Sequence, residues 1–298
     1  MAKAHKILFG TSGWSYEDWN GIVYPEHKGK GFDELRFIAE YFDMVELNVT
    51  FYRPAYPNMA QSWVRRTADK PDFLFTAKLH QRFTHQREAP WTPPEATEFK
   101  RGIAVIADAG KLGGVLMQFP WSFKNDAESR KWLDNVVKEF NEFPLFLEVR
   151  HNSWYSEDVF SYLDAVGVGF VNIDQPVFHN SLPPTERVTG GKGYVRLHGR
   201  NFESWFNKDA DRDSRYDYLY DERELAGWVE KVRDISKDAG QVFVVNNNHY
   251  RGQAATNSLE LKSLLEGIPV RVPLTLMDAY PELKKYAIPQ EAQGKLLS

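Results

Sequence analysis

Eight short runs rich in aliphatic, β-branched and aromatic residues alternate along this chain with longer amphipathic stretches, and that rhythm constrains the fold more than any other feature of the sequence. The runs fall at residues 5–11, 44–51, 73–79, 113–119, 144–150, 169–174, 193–198 and 241–247. Strand followed by helix, repeated, implies parallel strands joined by right-handed crossovers, and eight is the number of parallel strands that closes a barrel. A chain of 298 residues suits one such unit. The sequence therefore predicts an α/β fold, a single TIM-type (β/α)8 barrel over residues 1–298 with a core at about 5–270 and a C-terminal tail at 271–298.

The amphipathic stretches carry helix start signals. Asn58 with Gln61, Thr92 with Pro93 and Glu95, and Asp221 with Glu224 each pair a capping residue with a side chain three positions on that can reach back to it. Helices are expected behind them at residues 59–67, 96–111 and 223–238. Three connections are too long for compact links: residues 79–94 after strand 3, 176–192 after strand 6 and 199–221 after strand 7. All three leave the carboxyl ends of strands, which in a parallel barrel form the rim where ligands are handled.

Strands of a closed barrel are buried on both faces and read as nearly continuous apolar runs. Four runs here alternate instead: Val45-Glu46-Leu47-Asn48, Leu147-Glu148-Val149-Arg150, Val171-Asn172-Ile173-Asp174 and Val195-Arg196-Leu197-His198. Because side chains change sides with period two, the apolar set can face the helices while the polar set points into the barrel. The expected inward set is Glu46, Asn48, Glu148, Arg150, Asn172, Asp174, Arg196 and His198, joined by Lys78 and Gln118 from strands 3 and 4; Asn246 of strand 8 is a further candidate ligand contact. One alternative is a purely structural layer of ion pairs, such as Glu148 with Arg196. Unpairing a buried charge is costly, so this many polar positions are a poor route to stability alone, and the set points to function.

Charge is distributed unevenly. Thirty-seven Lys and Arg against 41 Asp and Glu leave a net charge of −4, so nothing global draws the protein to nucleic acid or to a membrane. The expected rim is different, with Arg53, Lys78, Arg82, Arg150, Arg196, Arg200 and Arg251 at or just beyond strand ends, set against Glu46, Glu148 and Asp174. A basic mouth on an acidic protein suggests an anionic ligand, phosphate or carboxylate, held by guanidinium groups. Aromatic residues follow the same strand ends: Trp14, Tyr16, Trp19, Tyr52, Trp121, Trp154 and Trp205. Of these, Trp14, Tyr52 and Trp154 are the candidate stacking platforms, with capping of the core as the alternative for Trp14 and Trp154.

A divalent metal is the open cofactor question. Glu148, Asp174 and His198, with His85, His151, His179 and His249 near the same rim, offer oxygen and nitrogen ligands. No HExxH-like spacing is present, and Arg150 and Arg196 would set positive charge beside the ion. The absence of cysteine excludes disulfides, thiolate metal sites and a cysteine nucleophile. Residues 1–10 lack the hydrophobic run of a signal peptide, and no segment approaches the ~20 apolar residues of a membrane span. The expectation is a soluble, cytoplasmic protein with no membrane partner.

Several segments also match a known family in order. Gly10-Thr11-Ser12-Gly13-Trp14-Ser15-Tyr16 with Trp19, Gly21 and Tyr24-Pro25 resembles the opening signature of the YecE-like domains of unknown function. The likeness continues through Val45-Glu46-Leu47-Asn48, Phe75-Thr76-Ala77-Lys78, Gln118-Phe119-Pro120, Glu148-Val149-Arg150-His151, Tyr194-Val195-Arg196-Leu197-His198-Gly199-Arg200 and Asn246-Asn247-Asn248, covering about residues 8–265. The resemblance implies a TIM-type barrel and supplies no reaction.

The leading functional expectation is an enzyme, most simply a hydrolase, that binds a phosphate-bearing substrate, nucleic acid or nucleotide-like, across the carboxyl rim. Arg150, Arg196 and Arg200 would hold phosphate, Trp14, Tyr52 and Trp154 would stack, and Glu46 or Glu148 with His198 would move protons. A carbohydrate enzyme using Glu46 and Glu148 as paired carboxylates is the second reading. A binding module without chemistry is the third.

Overall fold

A computed structural model describes residues 6–202 and 214–289. Eight parallel strands close into a barrel in sequence order: β1 Lys6–Ser12, β2 Met44–Leu47, β3 Leu74–Lys78, β4 Leu112–Gln118, β5 Leu145–Glu148, β6 Gly169–Asp174, β7 Gly193–Leu197 and β8 Gln241–Asn246. The ring is completed where β1 pairs with β8 from Lys6↔Gln241 to Thr11↔Asn246. The expected α/β barrel is thus the observed fold, and no helix among the described residues is long and apolar enough to cross a membrane.

Beneath the rim the barrel is filled by aromatic rings. Phe146, Tyr194 and Phe243 meet with centroids 4.9 to 5.7 Å apart. Gly114 on β4 makes room for them, since a Cβ there would stand 2.4 Å from the Phe146 ring. Outside, the Glu222–Asp238 helix buries Leu225, Trp228, Val232 and Ile235 against Val195, Leu197, Val242 and Val244, the outward faces of β7 and β8.

Two of the three capping signals form as read. Asp221 accepts from Glu224 N at 2.9 Å while Glu224 accepts from Asp221 N at 3.0 Å, and the Glu95 carboxylate reaches back to Thr92 N at 2.6 Å. The third does not. Pro57 opens the Pro57–Arg66 helix with Tyr56 as its cap, because proline's fixed φ and missing N–H suit the first helical position. Strand 2 is also shorter than its β-rich composition predicts: it ends at Leu47, and Val49–Tyr52 forms a helical turn in which the Thr50 hydroxyl donates to the carbonyls of Leu47 and Lys78.

The connection between β6 and β7 contains no helix. A strap takes its place, pinned from β6 by Asn172, whose side chain bonds Thr185 Oγ1, Arg187 N and Arg187 O at 2.7 to 2.9 Å. Beyond β8 and the Gln253–Glu266 helix, the tail adds a short Leu274–Ala279 helix and a 3-10 turn at Pro281–Lys285, with Leu276, Met277 and Leu283 buried. Residues 1–5 and 290–298 at the two ends, and the stretch of the loop after β7 that contains Trp205, lie outside the described residues.

Candidate functional site

The register of the sheet decides which side chains reach the interior. Ser12 pairs with Glu46, Glu46 with Thr76, Lys78 with Leu116, and Gln118 with Glu148, so these positions share the inner face up to the carboxyl rim. Arg196 on β7 reaches across the barrel between the two carboxylates. Its Nη2 lies 2.6 Å from Glu46 Oε1 and its Nη1 2.5 Å from Glu148 Oε2. All three side chains are buried. Glu46 is further saturated by Ser12 Oγ at 2.6 Å and Tyr194 OH at 2.7 Å, and Tyr194 OH also meets Thr76 Oγ1 at 2.9 Å. Asn48 donates to Ser12 Oγ at 2.8 Å, joining the same network from above.

Arg150 pairs with Glu148 Oε1 at 2.9 Å and donates to Gln175 Oε1 at 3.1 Å. His198 lies against the same oxygen, with Nε2 3.2 Å from Glu148 Oε1 and Nδ1 2.9 Å from Asn247 Nδ2. With Nδ1 accepting from Asn247, the ring proton sits on Nε2. Burial and the neighbouring Arg150 push the imidazole down to about 3, so His198 is neutral. Burial works against the Glu148 carboxylate, but Arg196 and Arg150 overcome it and hold the group well below the usual range. Among the described interior residues, three cations (Lys78, Arg150 and Arg196) face two carboxylates.

Lys78 is the cation left over. Its Nζ sits 4.2 Å above the Phe51 ring and finds no carboxylate or hydrogen-bond partner among the described residues. Burial and Arg196 lower its ammonium to about 8, against the opposing pull of Glu46 and Glu148. His85 packs edge-on against the same ring at 4.8 Å; burial and the nearby Lys78 lower it to about 4. Beside this cluster opens a cleft of about 210 Å³ lined by Gln118, Pro120, Trp121, Arg150, Arg215 and Tyr216.

Several expected site residues lie elsewhere. Asp174 was expected to point inward, but Asp174↔Leu197 and Asn172↔Val195 pair with outward residues of β7, so both point away from the interior. The Asp174 carboxylate accepts from Trp228 Nε1 at 2.8 Å and is clamped by Arg200, which also pairs with Glu224 at 2.8 Å. Arg200 therefore belongs to an outer clamp between β6 and the Glu222–Asp238 helix. Asn246 pairs with Leu197 and is likewise outward; the mouth receives Asn247 instead. Trp154 is buried, donating from Nε1 to Phe123 O at 2.7 Å and stacking on the Phe123 ring at 5.0 Å. Trp14 is half-buried with its ring edge-on to Trp63 at 6.2 Å, while Tyr52 is 65% exposed. Arg82 bonds Glu95 and the carbonyls of Gln86, Ala89 and Pro90, holding the loop after β3, and Arg53, Arg251 and His179 are exposed.

Glu148, Asp174 and His198 are thus not gathered as a ligand set. Among the described residues no group of three or more His, Asp or Glu is placed to hold a metal ion. Trp121 and Tyr216 line the cleft although the alternation of strands gave no reason to select either; only their position in rim loops hinted at them. Tyr216 arrives through tertiary packing, its ring 4.8 Å from His249, which itself stacks on Tyr16 at 4.4 Å.

Fold and mouth together define the class: an α/β barrel with a charged, arginine-bridged interior that opens at its carboxyl rim into a basic cleft. Within that class, residues 8–277 match the family described as "Protein of unknown function DUF72", and the chain belongs to it. The likeness to the YecE-like domains agrees with this match. The chain is similar to the UPF0759 protein YunF of Bacillus subtilis, 32% identical over 275 residues, which cover 87% of this chain and 95% of that protein. It is also similar in structure to a DUF72-family protein from Thermotoga maritima, with a TM-score of 0.77, 36% identity and coverage of 88% of this chain and 100% of that one. A DUF72-family protein from Enterococcus faecalis superposes with a TM-score of 0.76 at 25% identity, covering 87% and 95%.

Proposed function

We propose that the mouth binds a small phosphate- or carboxylate-bearing molecule, with the anion held by Arg150 beside Lys78 and the rest of the ligand against Gln118, Trp121 and Tyr216. The observation that carries this reading is Lys78. The interior carboxylates are taken up by Arg196 and Arg150, so an ammonium without a carboxylate remains at the rim, and a bound anion would complete the charge balance. The size of the cleft favours a small molecule over a polynucleotide.

Glu46, Glu148 and His198 take a positioning role in this reading. Glu46 and Glu148 are fully enclosed and engaged by the groups around them, which favours fixing Arg196 and Arg150 over proton transfer in a hydrolysis or attack on a sugar.

The test is a thermal-shift titration with inorganic pyrophosphate, a short oligonucleotide and neutral sugars at low and high salt. A pyrophosphate-induced rise in Tm that shrinks with salt and disappears in Arg150→Ala is the expected result. A rise produced only by neutral sugars, or one indifferent to salt and to Arg150→Ala, would overturn the reading.

A further inference from the structure

We propose that Lys78 is a nucleophilic amine that forms a protonated imine with the ligand, so that the substrate class is a small anion carrying an aldehyde or ketone carbonyl. The inference rests on the anion-binding reading of the same mouth and adds the reacting group.

Four observations converge on Lys78. It stands at the carboxyl end of β3 on the inner face, where a barrel presents reactive side chains. A lysine kept for stability would pair with an acid, yet Glu46 and Glu148 are both turned to guanidinium groups. Every strong charge around it is accounted for: Arg196 from β7 and Arg150 beyond β5 disfavour the ammonium, while Glu46 from β2 and Glu148 from β5 only partly restore it. The Phe51 ring keeps water from one side of Nζ, and its face attracts the ammonium less than burial and Arg196 disfavour it, the desolvation by which lysines are made nucleophilic.

The chemistry balances without a further reagent. The lone pair of the neutral Lys78 Nζ attacks the carbonyl carbon, the N–C bond forms, and the C=O π electrons move to oxygen, which takes up a proton from solvent. The nitrogen sheds a proton to His85, a neutral imidazole against the same Phe51 ring, and that proton returns to the hydroxyl as it leaves. Water is the sole by-product. The nitrogen keeps its second N–H as its lone pair closes the C=N bond, so the imine forms already protonated, and its one positive charge, supplied by the proton the oxygen took up, stands beside the ligand's anionic group at Arg150.

The experiment incubates the intact protein at about pH 7.5 with glyoxylate or glycolaldehyde phosphate and sodium cyanoborohydride, with neutral glycolaldehyde as the control, and maps the reduced adduct by peptide mass spectrometry. Because an amine near pKa 8 is far more often unprotonated at that pH than an ordinary lysine, Lys78 is expected to label at least about tenfold faster than the exposed Lys131 and Lys138. Pyrophosphate should slow that labelling, and Lys78→Arg should lose the fast adduct. Labelling of wild-type Lys78 no faster than of Lys131 and Lys138 would overturn the proposal, whether or not Lys78→Arg folds. If the pyrophosphate-induced Tm rise survives that outcome, the anion reading stands alone. Fast labelling that pyrophosphate does not slow would instead count against the anion reading and leave the amine chemistry in place.

Discussion

Arg196 carries the charge balance of the interior at the scale of a single residue. Its two terminal nitrogens engage Glu46 and Glu148, a fork that a lysine ammonium cannot reproduce. Replacing it leaves two enclosed carboxylates short of their shared cation. Arg196→Met is therefore expected to destabilise the fold by about 3–5 kcal/mol in urea unfolding, with Arg196→Lys intermediate. Adding Glu46→Gln and Glu148→Gln to the methionine variant should recover part of the loss; no recovery would show that shape rather than charge sets the cost. Glu46, Glu148, Arg196 and His198 were all legible in the sequence, because each interrupts an apolar strand at period two. Their assignment to partners was not, since alternation says which face a side chain takes and nothing about what stands opposite.

At the scale of elements, β6 shows where the alternation rule chooses wrongly. Val171-Asn172-Ile173-Asp174 reads like the other polar strands, yet its polar face is outward. The reason is the missing helix between β6 and β7: a polar strap and the Trp228 indole cover that face, and Asn172 and Asp174 satisfy them. Close strand contact constrains β1 in another way. A Cβ at Gly10 would lie 2.1 Å from Met44 O on β2. Gly10→Ala is expected to cost at least about 1–3 kcal/mol by forcing the two strands apart. Gly227 is the opposite case, an exposed helical glycine with nothing near the position of a Cβ, so Gly227→Ala should stabilise by about 0.5–1 kcal/mol. Thermal and urea unfolding of the two variants should move in opposite directions; equal shifts would refute this account of both sites.

The whole molecule sums groups whose pH responses oppose one another. His198 is lowered from 6.5 to about 3, so its stabilising contribution is full above pH 6.5 and is lost as pH falls towards 3. Glu148, also lowered, loses its contribution as pH drops below 4.5. Glu260, in the helix after β8, is raised by burial from 4.5 to about 7, only partly offset by the Asn257 amide and Lys285, with Glu282 and Glu222 adding to the rise. Its contribution is full below pH 4.5 and lost as pH climbs through 7. His85, lowered from 6.5 to about 4, behaves like His198, so near pH 5 the two imidazoles have each lost about 2 kcal/mol and together exceed the Glu260 gain of about 2 kcal/mol. Stability in urea should therefore fall by about 2 kcal/mol between pH 7 and 5 and more steeply below about 4.5. Glu260→Gln should exceed wild type at pH 8 and converge on it near pH 4.5. A variant no more stable than wild type at pH 8 would exclude a buried, reluctant carboxylate at that position.

The sequence by itself determined the barrel, because closing eight parallel strands needs only local periodicity, crossover handedness and buried apolar runs, all written in neighbouring residues. It also determined that Glu46, Glu148, Arg196 and His198 would share the interior. Tertiary structure alone decided that Arg196 would bridge both acids, that Lys78 would be left without one, that Asp174 and Asn246 would face outward, and that Trp121 and Tyr216 would wall the cleft. Those outcomes depend on strand register, on how loops cross the rim and on which of several nearby opposite charges comes within hydrogen-bond reach. Such distances are set between residues as far apart as Glu46 and Arg196, 150 positions along the chain, and no local pattern encodes them.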